Sequence, residues 1–296
     1  MTALGPEAVV VATFGLIVGS FLNVVVHRVP RRLSVVVPRS RCPGCASLIP
    51  WYHNVPVLSY LALGGRCGTC RTRIAARYPL TEAATAALAV VFWLRFGPTA
   101  AFLLLTAYGL AMIALFLIDL ELRLLPFAIT DKGTALGILA APWNPWTART
   151  GERLLWALDL DGGRAGAMLA AVATAVLGAG LGYGLLKGLM VGYKLWRGVE
   201  GLGGGDPRMA AMIGAFSGPR GVITVLILAS LIGTALGLGL ILLRRANMQS
   251  ALPFGCFLAP AAVLVVLLGP DELWLQWQLL TAGIVDRFGS ARGPGA

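Results

Sequence analysis

Residues 99–119 read TAAFLLLTAYGLAMIALFLID, an apolar run that ends abruptly at the carboxylate of Asp119. The apolar part, 99–118, is twenty residues long, which is about what a helix needs to cross roughly 30 Å of hydrocarbon. An acid at its end is expensive unless it has a partner or a task. A second carboxylate arrives in similar company, in Gly203-Gly204-Gly205-Asp206-Pro207, where a flexible glycine run delivers it to the start of another apolar helix. Two acids at a membrane edge suggest an aspartic protease, because water activation needs one carboxylate ionised and one neutral.

The remainder of the 296-residue chain agrees with a membrane setting. It is 57% hydrophobic and 12% charged, with a mean hydropathy of +0.80, whereas soluble domains carry about 25% charged residues. The expected fold is an all-α integral membrane protein of about eight transmembrane helices. The net charge of +11 lies in short segments between apolar runs, as topology signals do, so membrane lipids and no nucleic acid are the expected partners. The first apolar stretch, 8–26, lacks a basic leader and is followed by arginine, so it reads as a retained span and not a signal peptide.

Four segments are expected: a first transmembrane helix (1–26), a cytoplasmic loop domain (27–79), a transmembrane peptidase domain (80–268) and an interfacial or disordered tail (269–296). Residues 27–81 hold nine arginines and no acid, which places the loop in the cytoplasm. Spans at 80–96 and 99–118 flank a tight Gly97-Pro98 turn and bring Asp119 back to the cytoplasmic boundary. A span at 126–143 leads to an external loop at 144–164. Its Asp159-Leu160-Asp161 run lacks the spacing of a calcium loop. The span at 165–186 is followed by basic residues that keep 203–206 cytoplasmic. Gly180, Gly184, Gly188 and Gly192 recur at every fourth position, a smooth ridge suited to close helix packing. Spans at 207–217, 222–243 and 252–268 complete the set, the second delivering Arg244 and Arg245 to the cytoplasm.

Cys42-Pro-Gly-Cys45 and Cys67-Gly-Thr-Cys70 form two C-x2-C pairs. Each pair can grip one side of a tetrahedral Zn²⁺ through a glycine-bearing turn. Four thiolates close the coordination shell, so the metal is expected to be a structural staple and not a hydrolytic centre. The alternatives are two disulfides or four free thiols, which a reducing cytoplasm disfavours. His53 lies inside the loop, and Cys256 stands alone in the last span.

These residues resemble the type IV prepilin peptidases, bifunctional leader peptidases and N-methyltransferases of pilus and type II secretion systems. The resemblance rests on Gly19-Ser-Phe-Leu-Asn-Val-Val-Val-His-Arg-Val-Pro30, the four-cysteine loop with Ile49 to Tyr60, Arg77-Tyr-Pro-Leu-Thr-Glu82, Asp119 followed by Leu125-Pro126, Gly203-Gly-Gly-Asp206, and Pro253 to Ala259. It implies a multi-pass enzyme of the bacterial inner membrane with its active site facing the cytoplasm. Asp119 and Asp206 would be the catalytic pair, and Gly203 and Gly205 would let substrate backbone approach. The enzyme would cut the basic leader from prepilins or pseudopilins after a glycine. It would then methylate the new N-terminal residue using S-adenosylmethionine, a step assigned to the N-terminal loop region. Three positions depart from the family pattern: Phe127 stands where an acid is usual, Arg208 where lysine is, and Cys256 where proline is.

Other readings stay beside these. Asp206 suits an N-cap, and Asp119 suits an ion pair with Arg123 at i+4. Ser20 and Asn23 suit hydrogen bonds between helices as well as substrate contact. Glu82 has three roles open: capping its helix, pairing with Arg77, or touching S-adenosylmethionine or substrate. A different class of function would make the chain a zinc-stapled scaffold or transporter with Asp119 and Asp206 as an ion site.

Overall fold

The computed structural model describes residues 5–160, 162–198, 203–243 and 253–279. Arg244, Arg245, Asp161 and the tail beyond Leu279 lie outside them. Among the described residues the chain is all helix, joined by turns and two isolated β-bridges. It divides into two compact units, Met1–Gly133 and Thr134–Ala296.

The first unit is built on α1 (Pro6–Arg28), α3 (Arg77–Phe96) and α4 (Ala100–Leu122), with the short α2 (Leu58–Ala62) inside the loop that joins α1 to α3. Glycine lets α1 and α3 touch backbone to backbone. A Cβ on Gly15 would stand 2.7 Å from Ala86 Cα, and one on Gly19 would stand 2.7 Å from Glu82 Cα. Asn23 Nδ2 donates to the Tyr78 carbonyl at 3.2 Å, a hydrogen bond between α1 and α3. Gly97, at φ 62°, ends α3, and the Thr99 hydroxyl accepts the Phe102 N–H to start α4. Leu22, Val26, Ala114 and Ile118 close the core beneath the loop end of this unit.

The chain passes through α5 (Phe127–Leu139) into the second unit, which holds α6 (Pro145–Ala157), α7 (Gly163–Arg197), α8 (Asp206–Leu242), α9 (Gly255–Leu268) and α10 (Pro270–Leu279). The external loop expected at 144–164 is largely helix. Asn144 caps α6 by accepting the Trp146 N–H at 3.1 Å, and Pro145 occupies its first turn, the usual chemistry of a helix start. Gly151 seats α6 on α7, where a Cβ would lie 2.6 Å from the Ala171 nitrogen.

The glycine ridge also differs from expectation. Among the described residues nothing lies within 4 Å of a Cβ added to Gly180, Gly184, Gly188 or Gly192, and the close contacts belong to Gly178 and Gly182. Gly178 meets both Gly214 and Gly218, while Gly182 meets both Ala210 and Val222. Along α7 the first set of neighbours descends and the second ascends, so the chain reverses within α8. The reversal occurs at Gly218, whose φ of 71° and ψ of −177° interrupt the helix just before Pro219. A positive φ of this kind is open to glycine at little steric cost. Two arms, 206–217 and 219–242, therefore lie side by side on α7.

Among the described residues five helices are long and apolar enough to cross a membrane, α1, α3, α4, α7 and α8, or six if the bent α9–α10 pair counts as one span. The other three stretches expected to cross are shorter. They are α5 and α9, of 13 and 14 residues, and the first arm of α8. Helix α10 leaves α9 at 95° across Gly269.

Candidate functional site

Each candidate acid is buried at a helix end in its own unit. Asp119 is 5% exposed in the last turn of α4. Its carbonyl accepts the N–H of Arg123, which adopts φ 52° and turns the chain out of the helix. Burying an ionisable side chain here follows from packing, because Leu115 and Ile118 beside it are fully enclosed. Asp206, also 5% exposed, opens α8. The Gly203 N–H donates to its Oδ2 at 3.0 Å, and its own N–H donates to the Gly203 carbonyl at 3.2 Å. A Cβ on Gly203 would come within 3.3 Å of that carboxylate oxygen, so glycine keeps the approach to the acid clear. Gly205 precedes the helix in ordinary αR geometry.

Glu82 is buried at 8% exposure. Arg77 pairs with Glu121 and leaves Glu82 to another partner. That partner is the Val57 N–H, which donates to Glu82 Oε2 at 2.8 Å. Val57 sits at φ 59°, ψ −50°, with the Leu58 N–H donating across it to the Pro56 carbonyl. This is a γ-turn of the rare positive-φ kind, strained for any β-branched residue. Strain of this sort costs of order 1–3 kcal/mol and persists only where surrounding contacts impose it. No sequence signal marks Val57, because glycine or asparagine would be the usual sign of positive φ.

The two C-x2-C pairs form matching knuckles. Arg41 bridges Leu48 and Arg66 bridges Arg73. Cys42 N–H donates to the Ser47 carbonyl as Cys67 N–H does to that of Thr72, and Ala46 and Arg71 both adopt positive φ. None of the five cysteines is in a disulfide. The four loop sulfurs lie within 4.8 Å of one another, and Cys42 Sγ stands 3.8 Å from Cys70 Sγ. Four thiolates about 2.3 Å from a tetrahedral metal would be separated by about 3.8 Å, so these residues fit a metal ion.

Hydrogen bonds tune the sulfurs toward thiolate. The Ser47 hydroxyl and then its N–H lower the Cys45 pKa, the N–H groups of Cys70 and Thr69 lower that of Cys67, and the Thr72 hydroxyl and then its N–H lower that of Cys70. Only Cys42 ends raised. The N–H groups of Cys45 and Gly44 pull its pKa down, but burial and its bonds to Cys67 and Cys45 outweigh them. The His53 ring lies on the second knuckle, where a Cβ on Gly68 would stand 2.5 Å from its Cε1. Histidine thus packs against the cluster, whose four sulfurs are the atoms that could hold a metal ion.

The sequence comparisons converge on one family. Residues 13–96 match the bacterial peptidase A24 N-terminal domain, and residues 106–238 match the type IV leader peptidase family. A prepilin leader peptidase/N-methyltransferase of Pseudomonas putida is 35% identical over 90% of this chain and 92% of its own. Proteins of the same name from Pseudomonas aeruginosa and Aeromonas hydrophila are 36% and 37% identical, over 89% and 90% of this chain and 92% and 91% of their own. No solved structure gives a significant match. Matched nearly end to end by these relatives and carrying buried acids at the ends of α4 and α8, this multi-pass membrane chain belongs to the type IV leader peptidase family.

Proposed function

We propose that the protein is a prepilin leader peptidase of the bacterial inner membrane that also methylates the product it releases. The observation that carries this reading is Asp206, a buried acid at the start of an apolar helix whose carboxylate accepts an N–H from a glycine run that puts no side chain beside it. Asp119 completes the pair. Asp206, at the positive end of the α8 dipole, takes the proton of a water molecule as the water oxygen attacks the scissile carbonyl. Asp119 donates a hydrogen bond to the carbonyl oxygen, and a proton passes to the leaving amine as the C–N bond breaks. The substrates are prepilins or pseudopilins with a basic leader, cut after glycine on the cytoplasmic face.

Zinc is the proposed occupant of the four-sulfur site, because an all-thiolate tetrahedral shell suits it and has no open position for catalysis. S-adenosylmethionine is the proposed methyl donor, supported by the N-methyltransferase name of the relatives. Glu82 serves that step by holding the loop through Val57. The relatives' names favour these activities over a transporter with the two acids as an ion site.

The test uses purified full-length enzyme and a peptide with a basic leader, glycine, phenylalanine and an apolar helix. Mass spectrometry should show loss of the leader, and gain of one methyl group when S-adenosylmethionine is added. An uncut peptide would overturn the peptidase reading, and an unmethylated product at saturating donor would overturn the second activity alone.

A further inference from the structure

The loop between α1 and α3 leaves unpartnered two kinds of side chain that soluble surfaces seldom combine. Trp51 is 75% exposed, and Leu58 and Leu61, at i and i+3 on α2, are 65% and 67% exposed. Tyr52 is exposed beside Trp51, the two rings meeting edge to face at 5.8 Å. The His53 ring, meeting Tyr52 edge to face at 4.7 Å and packed on Gly68, fixes this aromatic turn against the second knuckle. That knuckle carries Arg66, Arg71 and Arg73, all exposed. None of the three has an ion-pair partner among the described residues, and residues 27–81 contain no acid to provide one. By contrast Arg28, Arg41 and Arg77 are occupied by backbone carbonyls or by Glu121.

We propose that this face docks onto the anionic lipid surface of the leaflet from which α1 and α3 emerge, with Trp51, Tyr52, Leu58 and Leu61 entering the interface and the three arginines meeting lipid phosphates. Both ends of the loop continue directly into membrane-spanning helices, so the headgroup layer is the nearest large partner. Amphipathic rings and apolar side chains beside unpaired cations are the combination that binds this layer. An acidic soluble partner would match the charge but leave the leucines and Trp51 exposed. Docking also removes an obstacle to the reaction proposed above, since neutralised arginines no longer repel a basic leader.

The test reconstitutes the full chain in vesicles of phosphatidylcholine alone or of equimolar phosphatidylcholine and phosphatidylglycerol, with bromine on the acyl chains. Quenching of Trp51 is the difference between the wild type and Trp51→Phe. It should be present with phosphatidylglycerol, weaken with added salt, and be lost in the Arg66→Gln, Arg71→Gln, Arg73→Gln triple variant. The matching lysine triple should keep it, and metal content would show that each variant retains its loop. Equal quenching in neutral vesicles, or in the glutamine triple, would overturn the role of the charges. A Trp51 unquenched by lipid but shielded on addition of a prepilin peptide would make the face a substrate surface and overturn the proposal. The readout is independent of cleavage, so its failure and failure of the enzymatic reading are distinguishable.

Discussion

At the scale of single residues, the two acids differ in what a change would do to structure. Asn at 206 can still accept the Gly203 N–H, so the start of α8 survives in Asp206→Asn. Leader cleavage by Asp206→Asn and by Asp119→Asn should nevertheless fall by about 10²–10⁴-fold or more, the usual worth of a positioned acid or base, while both variants still insert in the membrane. Cleavage at the wild-type rate by either one would remove that residue from the pair. A second residue-scale prediction concerns Val57. Glu82→Ala should speed hydrogen exchange of the Val57 amide, whereas Glu82→Gln, which keeps an acceptor oxygen, should retain its protection. Unchanged exchange in Glu82→Ala would show that the bond does not hold the turn. The acids were legible in the sequence because a charge beside an apolar run is conspicuous. The turn at Val57 was not, because its backbone is imposed by a buried partner 25 residues away and its own side chain argues against it.

At the scale of elements, legibility depended on whether a feature is local. The knuckles were readable from spacing, since each is closed by bonds within six residues. The glycine ridge was readable as a period but not as a face. Lipid tails are as apolar as a neighbouring helix, so nothing in composition separates Gly178 and Gly182, which touch α8, from Gly180 and Gly184, which touch none of the described helices. Gly178→Leu should therefore disrupt the α7–α8 packing and lower unfolding resistance in detergent, whereas Gly184→Leu should be nearly neutral. Equal effects would refute the assignment of faces. The segment at 144–157 was misread because its tryptophans drew attention away from the Asn144-Pro145 helix start. Asn144 also donates from Nδ2 to the Phe216 carbonyl at 2.7 Å, close to the break at Gly218. Asn144→Ala should cost about 0.5–1.5 kcal/mol by removing that buried hydrogen bond, read as a lower melting temperature.

At the scale of the whole molecule, sequence families and packing divide the chain differently. The leader peptidase match begins at residue 106 and includes α4, yet α4 packs in one compact unit with α1 and α3. A chain beginning at residue 106 would keep both acids but strip the helices that enclose Asp119, and it should show no cleavage. Removing the metal with a chelator should act on a smaller region, opening 41–73 to trypsin at its arginines while the spanning helices stay intact. Equal digestion before and after chelation would argue against a metal staple. The reversal at Gly218 carries a different kind of consequence, for the order of assembly during synthesis. Residues 206–217, about 18 Å of helix, are too short to cross about 30 Å of hydrocarbon alone, so this arm enters the bilayer only together with the arm that follows it. The side-chain donor to the Phe216 carbonyl, near their junction, is already made by then, since Asn144 leaves the ribosome 72 residues earlier than Phe216. The second unit thus has its keystone in place before the arch is built.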